Sequence, residues 1–371
     1  MKKLGFIVNP FAGIGGSVAL KGSDGDEIVE KALALGAVQK APTRAVQALE
    51  ELKPYKDSFV FITCHGDMGE NEAVAAGFDP QIIGDELGER TKAQDTCNAA
   101  LKMEEENVDL ILFAGGDGTA RDIYDTIGTR IPVVGIPAGT KMHSAIYASS
   151  PKAAGSLCAM YLNDIVKRTT ELEVMDIDED AFRKGKVIAK LYGALKVPNE
   201  PNLTQGMKSG GHASDDSAYL DGISDYVVDD MKEDTLYIIG SGTTCQPVMD
   251  KLGLENTLLG VDVVQNKRLL AKDVTENQLK EIVKDKKAII YVTPIGGQGY
   301  IFGRGNQQLS GEVIRMVGTD NVRIIATPSK INSLPKHQLR VDTGDVEVDE
   351  MLKGPKRVIC NRAEISILDI V

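Results

Sequence analysis

Val108 to Ala114 (VDLILFA) is apolar in every residue but Asp109, and Gly115-Gly116-Asp117-Gly118-Thr119 follows it at once. A run so short and so apolar reads as a strand buried on both faces. Three glycines in the next four positions demand a sharp turn, and helical spacing from Thr119 to Ile127 starts a helix on its far side. Strand, tight turn and helix make half of a parallel-sheet crossover, which excludes an all-helical or all-strand fold for this part of the chain. The same punctuation recurs. Leu4 to Val8 ends in Asn9-Pro10 and Gly13-Ile14-Gly15-Gly16, Ser58 to Thr63 ends in Cys64-His65-Gly66-Asp67, and Ile131 to Ile136 ends in Pro137-Ala138-Gly139-Thr140. Helical spacing lies between these runs over 26–37, 43–53 and 91–106.

Ser150-Pro151 opens a further helix over 151–167, after which the pattern changes. Glu171 to Ile177 and Lys186 to Val197 alternate with the period of a strand, and 198–216 reads as loop. Strand–helix alternation returns from Asp234. Thr235 to Ile239, Thr257 to Val264, Lys287 to Val292 and Val322 to Ala326 read as strands, with a helix over 275–285. The fold class is therefore α/β: an N-terminal open parallel sheet carrying the GGDGT loop, then a second mixed α/β domain that begins with a β-rich segment. The domains are placed at 1–167 and 168–371, the latter β-rich over 168–200 and α/β over 234–361. Its tail has the option of returning to the N-terminal domain.

Composition narrows the classes. The 371 residues carry 42 Lys+Arg against 54 Asp+Glu, a formal net charge of -12. That balance argues against a general nucleic-acid binder, though not against small anions, which glycine-rich loops hold through backbone N–H groups. No apolar run approaches the ~18 residues of a membrane span, and the basic start ends at Asn9-Pro10, too soon for a signal peptide. The five cysteines are scattered without a CxxC pair, which fits a reducing cytoplasm rather than a disulfide or zinc framework.

In an open parallel sheet the loops at the carboxyl ends of the strands share one edge, and ligands bind there. Asn9, Gly13, Gly15, Gly16, Gly115, Gly116, Gly118, Thr119, Gly139 and Thr140 would then converge on one crevice, where free backbone N–H groups at the helix start can hold a phosphate. Asp117 needs a separate reason to stand among phosphate-binding glycines. It could hold Mg²⁺ or accept a proton from an attacking hydroxyl, or it could simply cap the helix. Asp67, Arg121 and Lys141 lie near the same loops. Gly242 and Thr243, Gly297 and Arg304 stand in glycine-rich turns of the second half and suggest a second substrate's pocket. No metal ligand is assigned.

The Asn-Pro-x-Ala-Gly-x-Gly-Gly start, GGDGT loop and Pro-Ala-Gly-Thr loop resemble the NAD kinase and diacylglycerol kinase superfamily. Together with Thr293-Pro-Ile-Gly-Gly-Gln-Gly-Tyr-Ile-Phe-Gly-Arg-Gly-Asn-Gln-Gln308, they look like its ATP–NAD kinase-like group, which includes the acetoin-catabolism X protein. The lipid kinases' Asn-Asp pair after Gly-Thr is missing, since Lys141-Met142-His143-Ser144 follows Thr140. Asn71-Glu72 lies before the GGDGT loop, so it does not take the ribose-binding role of the NAD kinases' Asn-Glu pair. The resemblance implies an ATP- and Mg²⁺-dependent small-molecule kinase with Asp117 as its catalytic carboxylate. NAD, phosphorylated at the adenosine 2′-hydroxyl to NADP, is the default acceptor. Another hydroxyl acceptor and a non-catalytic nucleotide-binding regulator are the alternatives. It further implies small-molecule nucleotide ligands and a homo-oligomer, while the acidic balance and the apolar pattern lead us to expect no nucleic-acid or membrane partner.

Overall fold

The computed structural model describes residues 1–20, 25–86, 88, 90–140, 142–177, 189–200, 203–204 and 216–371. The chain divides into two units. The first comprises Met1–Ile14, Gly22–Leu33 and Val38–Met207, and the second Gly15–Lys21, Ala34–Ala37 and Lys208–Val371.

The first unit is built on five parallel strands: β1 (Lys2–Val8), β2 (Phe59–Cys64), β3 (Gln81–Ile83), β4 (Leu110–Gly115) and β5 (Val133–Pro137). Their order is β3-β2-β1-β4-β5. From β1 the chain builds outward on one side to β2 and β3, then returns to add β4 and β5 on the other. The order thus reverses between β1 and β4. All six residues of β4 are buried, as its unbroken apolar sequence requires. The crossover helices are α1 (Asp26–Ala34), α2 (Ala41–Glu50), α3 (Glu70–Ala75), α4 (Ala93–Glu105), α5 (Asp117–Ile127) and α6 (Pro151–Leu162). Helix α5 buries Thr119, Ala120, Ile123 and Ile127, a single face at helical spacing. Fully burying Ile123 alone removes apolar area worth roughly 2 kcal/mol.

An antiparallel pair of strands, β6 (Thr169–Ile177) and β7 (Ala189–Pro198), also belongs to this unit. Its inward residues Val174, Leu195 and Val197 join the first unit's apolar core, and Ala145 N–H donates to Glu173 O at 2.9 Å. The alternating segment expected to open a second domain at 168 therefore lies in the first unit. Alternation correctly marks one apolar face, but cannot say which core that face meets.

The second unit carries α7 (Ser217–Asp230), β8 (Leu236–Ile239), α8 (Gln246–Leu252), β9 (Asp262–Gln265), β10 (Arg268–Ala271), α9 (Glu276–Val283), β11 (Ala288–Val292) and β12 (Tyr300–Phe302). It continues through α10 (Gly311–Val317), β13 (Val322–Ile325), α11 (Pro328–Asn332), β14 (Arg340–Val341), α12 (Val346–Leu352), β15 (Gly354–Ile359) and β16 (Ile365–Ile370). Seven strands form a mixed sheet in the order β10-β9-β8-β11-β13-β15-β16. Strands β8, β11, β13 and β15 are parallel, while β9, β10 and β16 run against their neighbours. The tail thus ends as an edge strand of this sheet, the alternative to a return to the first unit. Helix α9 opens with a capping box, in which Thr275 Oγ1 accepts from Gln278 N–H and Gln278 Oε1 from Thr275 N–H. Its first N–H, on Glu276, donates to Ser17 O at 2.9 Å, so the early segment Gly15–Lys21 contributes to this unit directly.

Candidate active site

Three loops leave the carboxyl edge of the first sheet and are bonded to one another. Asn9 extends β1, its N–H donating to Ala114 O at 3.0 Å. Its side chain faces both ways: Oδ1 accepts from Phe11 N–H at 3.1 Å, and Nδ2 donates to Thr119 Oγ1 at 3.0 Å. The first contact folds the Asn-Pro turn and the second ties it to the first turn of α5. The loop after β5 is held in turn, Ala138 N–H and Gly139 N–H both donating to Gly115 O at 2.9 and 3.1 Å.

Two glycines here are required by close approach. A Cβ on Gly139 would stand 2.9 Å from Gly116 Cα, so the two loops meet backbone to backbone. Gly13 has φ +72°, and a Cβ there would lie 2.1 Å from Ala138 O. The helix cap is Gly116, in extended conformation, with Asp117 the first helical residue. The carboxylate of Asp117 does not cap its own helix. It reaches across to the loop after β5, where Oδ2 accepts from His143 N–H at 2.7 Å and Oδ1 from Ser144 N–H at 3.1 Å. His143 Nδ1 lies 3.6 Å from Oδ2. Each carboxylate oxygen keeps a further lone pair beyond these contacts. The Tyr147 hydroxyl donates to Gly116 O, and Arg44 Nε donates to Pro137 O, fixing the carbonyl backbone of the same loops.

The N–H groups of the first turn of α5 have no intrahelical acceptor, by helix geometry, and point out of the edge. In the loop after β5, Thr140 Oγ1, next to Gly139, is buried without a hydrogen-bond partner among the described residues. A buried hydroxyl and unspent backbone donors beside one carboxylate suit a phosphate chain with its divalent ion, because Mg²⁺ is commonly held by one or two carboxylates and substrate phosphates. Among the described residues no three His, Cys, Asp or Glu side chains gather as a metal site made by protein alone.

The structure thus brings Asn9, Gly13, Gly115, Gly116, Asp117, Thr119 and Gly139 together, with Gly118 in the same helical turn and Thr140 next to Gly139. Gly15 and Gly16 belong to the second unit, where a Cβ on Gly16 would meet the Gln307 side chain at 1.9 Å. Arg121 lies over the Tyr192 ring at 5.9 Å, and the Tyr192 hydroxyl donates to Asp125 at 2.7 Å. Asp67 is exposed and accepts from Asn71 Nδ2 at 2.7 Å. Lys141 lies outside the described residues. In the second unit Thr243 is exposed and Gly297 N–H donates to Ser333 Oγ at 3.3 Å. Arg304 has a structural placement: it is buried, pairs with Asp342 at 3.0 Å and stacks over Tyr300 at 4.7 Å.

One notable group carries no motif. Glu72 is only 4% exposed, its Oε2 has no hydrogen-bond partner among the described residues, and burial pushes its carboxyl up to about 7. The nearby Asp67 charge acts in the same direction, against a backbone hydrogen bond that lowers it. Only the apolar spacing of a short helix around it hints at burial. The five cysteines are unpaired thiols. Burial pushes Cys64 up to about 11 and Cys245 to about 12, which leaves them protonated and unreactive at neutral pH.

Comparison with known proteins matches residues 4–166 to the ATP-NAD kinase N-terminal domain and residues 232–369 to the ATP-NAD kinase C-terminal domain. No curated protein matches the chain. Solved structures described as diacylglycerol kinases from Bacillus anthracis str. Sterne align at 18% identity, with TM-scores of 0.23 and 0.22. The alignments cover 48% of this chain and 46% of theirs, so the match spans less than half the length of those proteins.

Proposed function

This chain belongs to the ATP-NAD kinase family, and on that premise we propose that it transfers the γ-phosphoryl group of ATP to the adenosine 2′-hydroxyl of NAD, giving NADP and ADP. The observation that carries this reading is Asp117, a carboxylate anchored at the reversal of strand order among loops that otherwise present backbone donors.

The residues divide the work. Backbone N–H groups of Asp117, Gly118 and Thr119 receive the phosphates at the start of α5, and Thr140 Oγ1 offers a further hydroxyl. Asn9 holds Thr119 and the first loop in register, while Gly13, Gly116 and Gly139 permit the approach of the three backbones. Asp117 takes the proton of the acceptor hydroxyl through a lone pair not used by His143 N–H or Ser144 N–H. As that O–H bond breaks, the hydroxyl oxygen forms its bond to phosphorus and the bond to the β-phosphate oxygen breaks, releasing ADP. The two backbone bonds fix the carboxylate before the substrate arrives, so its orientation costs little at the moment of reaction. Mg²⁺, when bound through the phosphates and Asp117, supplies charge neutralisation between the β- and γ-phosphates.

The test incubates the full chain with ATP, Mg²⁺ and NAD and measures NADP with a strictly NADP-dependent dehydrogenase, beside Asp117→Asn. NADP formed by the wild type and lost in the variant supports the assignment. ATP binding without NADP discards NAD as the acceptor and directs the search to other hydroxyl compounds. Equal nucleotide binding by both proteins, with no phosphoryl transfer to any acceptor, supports a regulatory binder instead. In solution a homo-oligomer is proposed, and light scattering measures it. Among the described residues no helix is long and apolar enough to cross a membrane.

A further inference from the structure

Helix α3 is the shortest helix of the first unit, and a carboxyl group stands on its inner face. Its six residues follow β2, the strand beside β1 in the sheet. Asn71, Val74 and Ala75 are exposed, while Glu72, Ala73 and Ala76 are buried. The inner face therefore offers two alanine methyls and Glu72. Two methyls remove little apolar area from water, so they hold the helix weakly.

Glu72 Oε2 has no hydrogen-bond partner among the described residues. The charged groups of the surrounding elements are engaged elsewhere or carry the same sign. Asp67, in the turn before α3, opposes a negative charge on Glu72. Glu70, on the same helix, accepts from Gly66 N–H at 2.8 Å and lies 3.7 Å from His65 Nδ1. Helix α2 packs against α3 and carries Arg44, whose Nε donates to Pro137 O, and Glu50, which pairs with Lys53 at 2.6 Å.

The helix is bracketed by two glycines in conformations that favour glycine, Gly69 at φ +137° and Gly77 at φ +81°. They differ in packing. A Cβ on Gly69 would stand 2.2 Å from Thr63 Oγ1, whereas one on Gly77 would meet nothing within 4 Å among the described residues. Gly77 and Phe78 line an open cavity of about 330 Å³ together with Phe59, Phe61 and Asp79. The helix is thus anchored at Gly69 and has open space beside Gly77.

We propose that α3 is a proton-held flap: a neutral Glu72 keeps the inner face docked, and loss of its proton lets the helix swing out about Gly69 until the carboxylate meets water. A buried carboxylate without a partner is costly, and undocking a few small contacts relieves that cost. Burial pushes the Glu72 carboxyl up from its ordinary 4.5 to about 7, and Asp67 adds to the effect. The docked form therefore keeps a proton that the open form has lost. Docking is strongest below pH 4.5 and weakens as pH rises through 7. Between pH 5 and pH 8 this separation weakens docking about 70-fold. The flap stands on α3 and its neighbours and does not depend on the transfer reaction proposed above.

Hydrogen exchange of the full-length protein from pH 5 to pH 8 tests it. Mass spectrometry reads protection factors, in which the pH dependence of the exchange chemistry itself cancels. Segment 70–78 is expected to lose protection at least tenfold over this range. It is also expected to stay at least 100-fold less protected than β4. Glu72→Gln, neutral at every pH and of the same shape, is expected to hold the loss below twofold. Glu72→Met is the second variant should the amide fail to fold. No loss in the wild type, or an equal loss in a folded variant, overturns the proposal. Protection equal to that of β4 at every pH also overturns it, because α3 would then open only when the whole unit unfolds. Asp117→Asn is expected to keep the wild-type profile, so loss of NADP formation and loss of the flap are separate results.

Discussion

The two units place loops at the same kind of position, a reversal of strand order at the carboxyl edge of a parallel sheet, but close it with different chemistry. In the first unit the loops meet through glycine backbones, and the charged group is a carboxylate held by two backbone N–H groups. In the second the loops meet through threonine hydroxyls, and the charged group is an ammonium. Backbone-to-backbone closure leaves peptide donors beside a carboxylate, the arrangement on which the proposed transfer from a phosphate chain to a hydroxyl rests. Side-chain closure instead ties the loops through the Thr244 and Thr293 hydroxyls and the Lys330 ammonium. The shared topology thus sets where the loops gather, and the residues at the strand ends set what they can do.

The largest effect should come from the base. Asp117→Asn is expected to lower the rate of phosphoryl transfer about 1,000-fold, read as kcat in the coupled NADP assay. If Lys330→Met lowered kcat as far, the contrast between the carboxylate edge and the ammonium edge would fail. Next is the buried carboxyl of Glu72. Its folded-state value of about 7 exceeds the ordinary 4.5, so the fold gains relative to the unfolded chain while Glu72 is protonated. That contribution is fully present below pH 4.5 and is lost as pH rises through 7. Urea titrations across this window should show up to about 3 kcal/mol of pH-dependent stability that Glu72→Gln removes. A slope that persists in the variant would place the sensitivity elsewhere.

Smaller effects sharpen the contrast between glycine and hydroxyl closure. Gly13→Ala must adopt φ near +72° and clear Ala138 O, and it should destabilise the first unit by about 2 kcal/mol. Thr244→Val deletes one hydrogen bond to Lys330 without a backbone clash and should cost about 1 kcal/mol in urea unfolding. Equal costs for the two substitutions would show that the edges are closed alike.

The sequence was most informative where a local pattern carried the whole cause. An unbroken apolar run followed by glycines can scarcely be other than a buried parallel strand and its turn, and β4 and α5 lie where that reading puts them. The loops of Asn9, Gly116 and Gly139 meet because a parallel sheet gathers its loops on one edge, while Gly15 and Gly16 fall in the second unit. Elsewhere the cause was distant. A strand was expected over 257–264, yet β9 begins at Asp262, because the Asp262 carboxylate accepts from Thr257 N–H at 2.7 Å and Asp273 N–H at 2.9 Å and closes the preceding residues into a turn. The β9–β10 hairpin turns at Asn266-Lys267, with φ of 52° and 58°, without the glycine that usually announces such a turn. Arg304 looked like a ligand contact beside its glycines, but Asp342 neutralises it from a later strand end. Lys330 carried no signal of its own, since its hydroxyl partners come from two other loops.

The second unit also includes Gly15–Lys21, made long before the rest of it. On a ribosome adding roughly 5–20 residues per second, that segment waits about ten seconds or more for Glu276, whose N–H its Ser17 carbonyl accepts. During synthesis the second unit therefore cannot finish from its own contiguous stretch, and an early piece of chain must stay available while the first sheet assembles around its flanks. Cutting the gene between the two blocks would remove that piece, so a fragment beginning at 208 should fold less completely than its share of the sheet suggests.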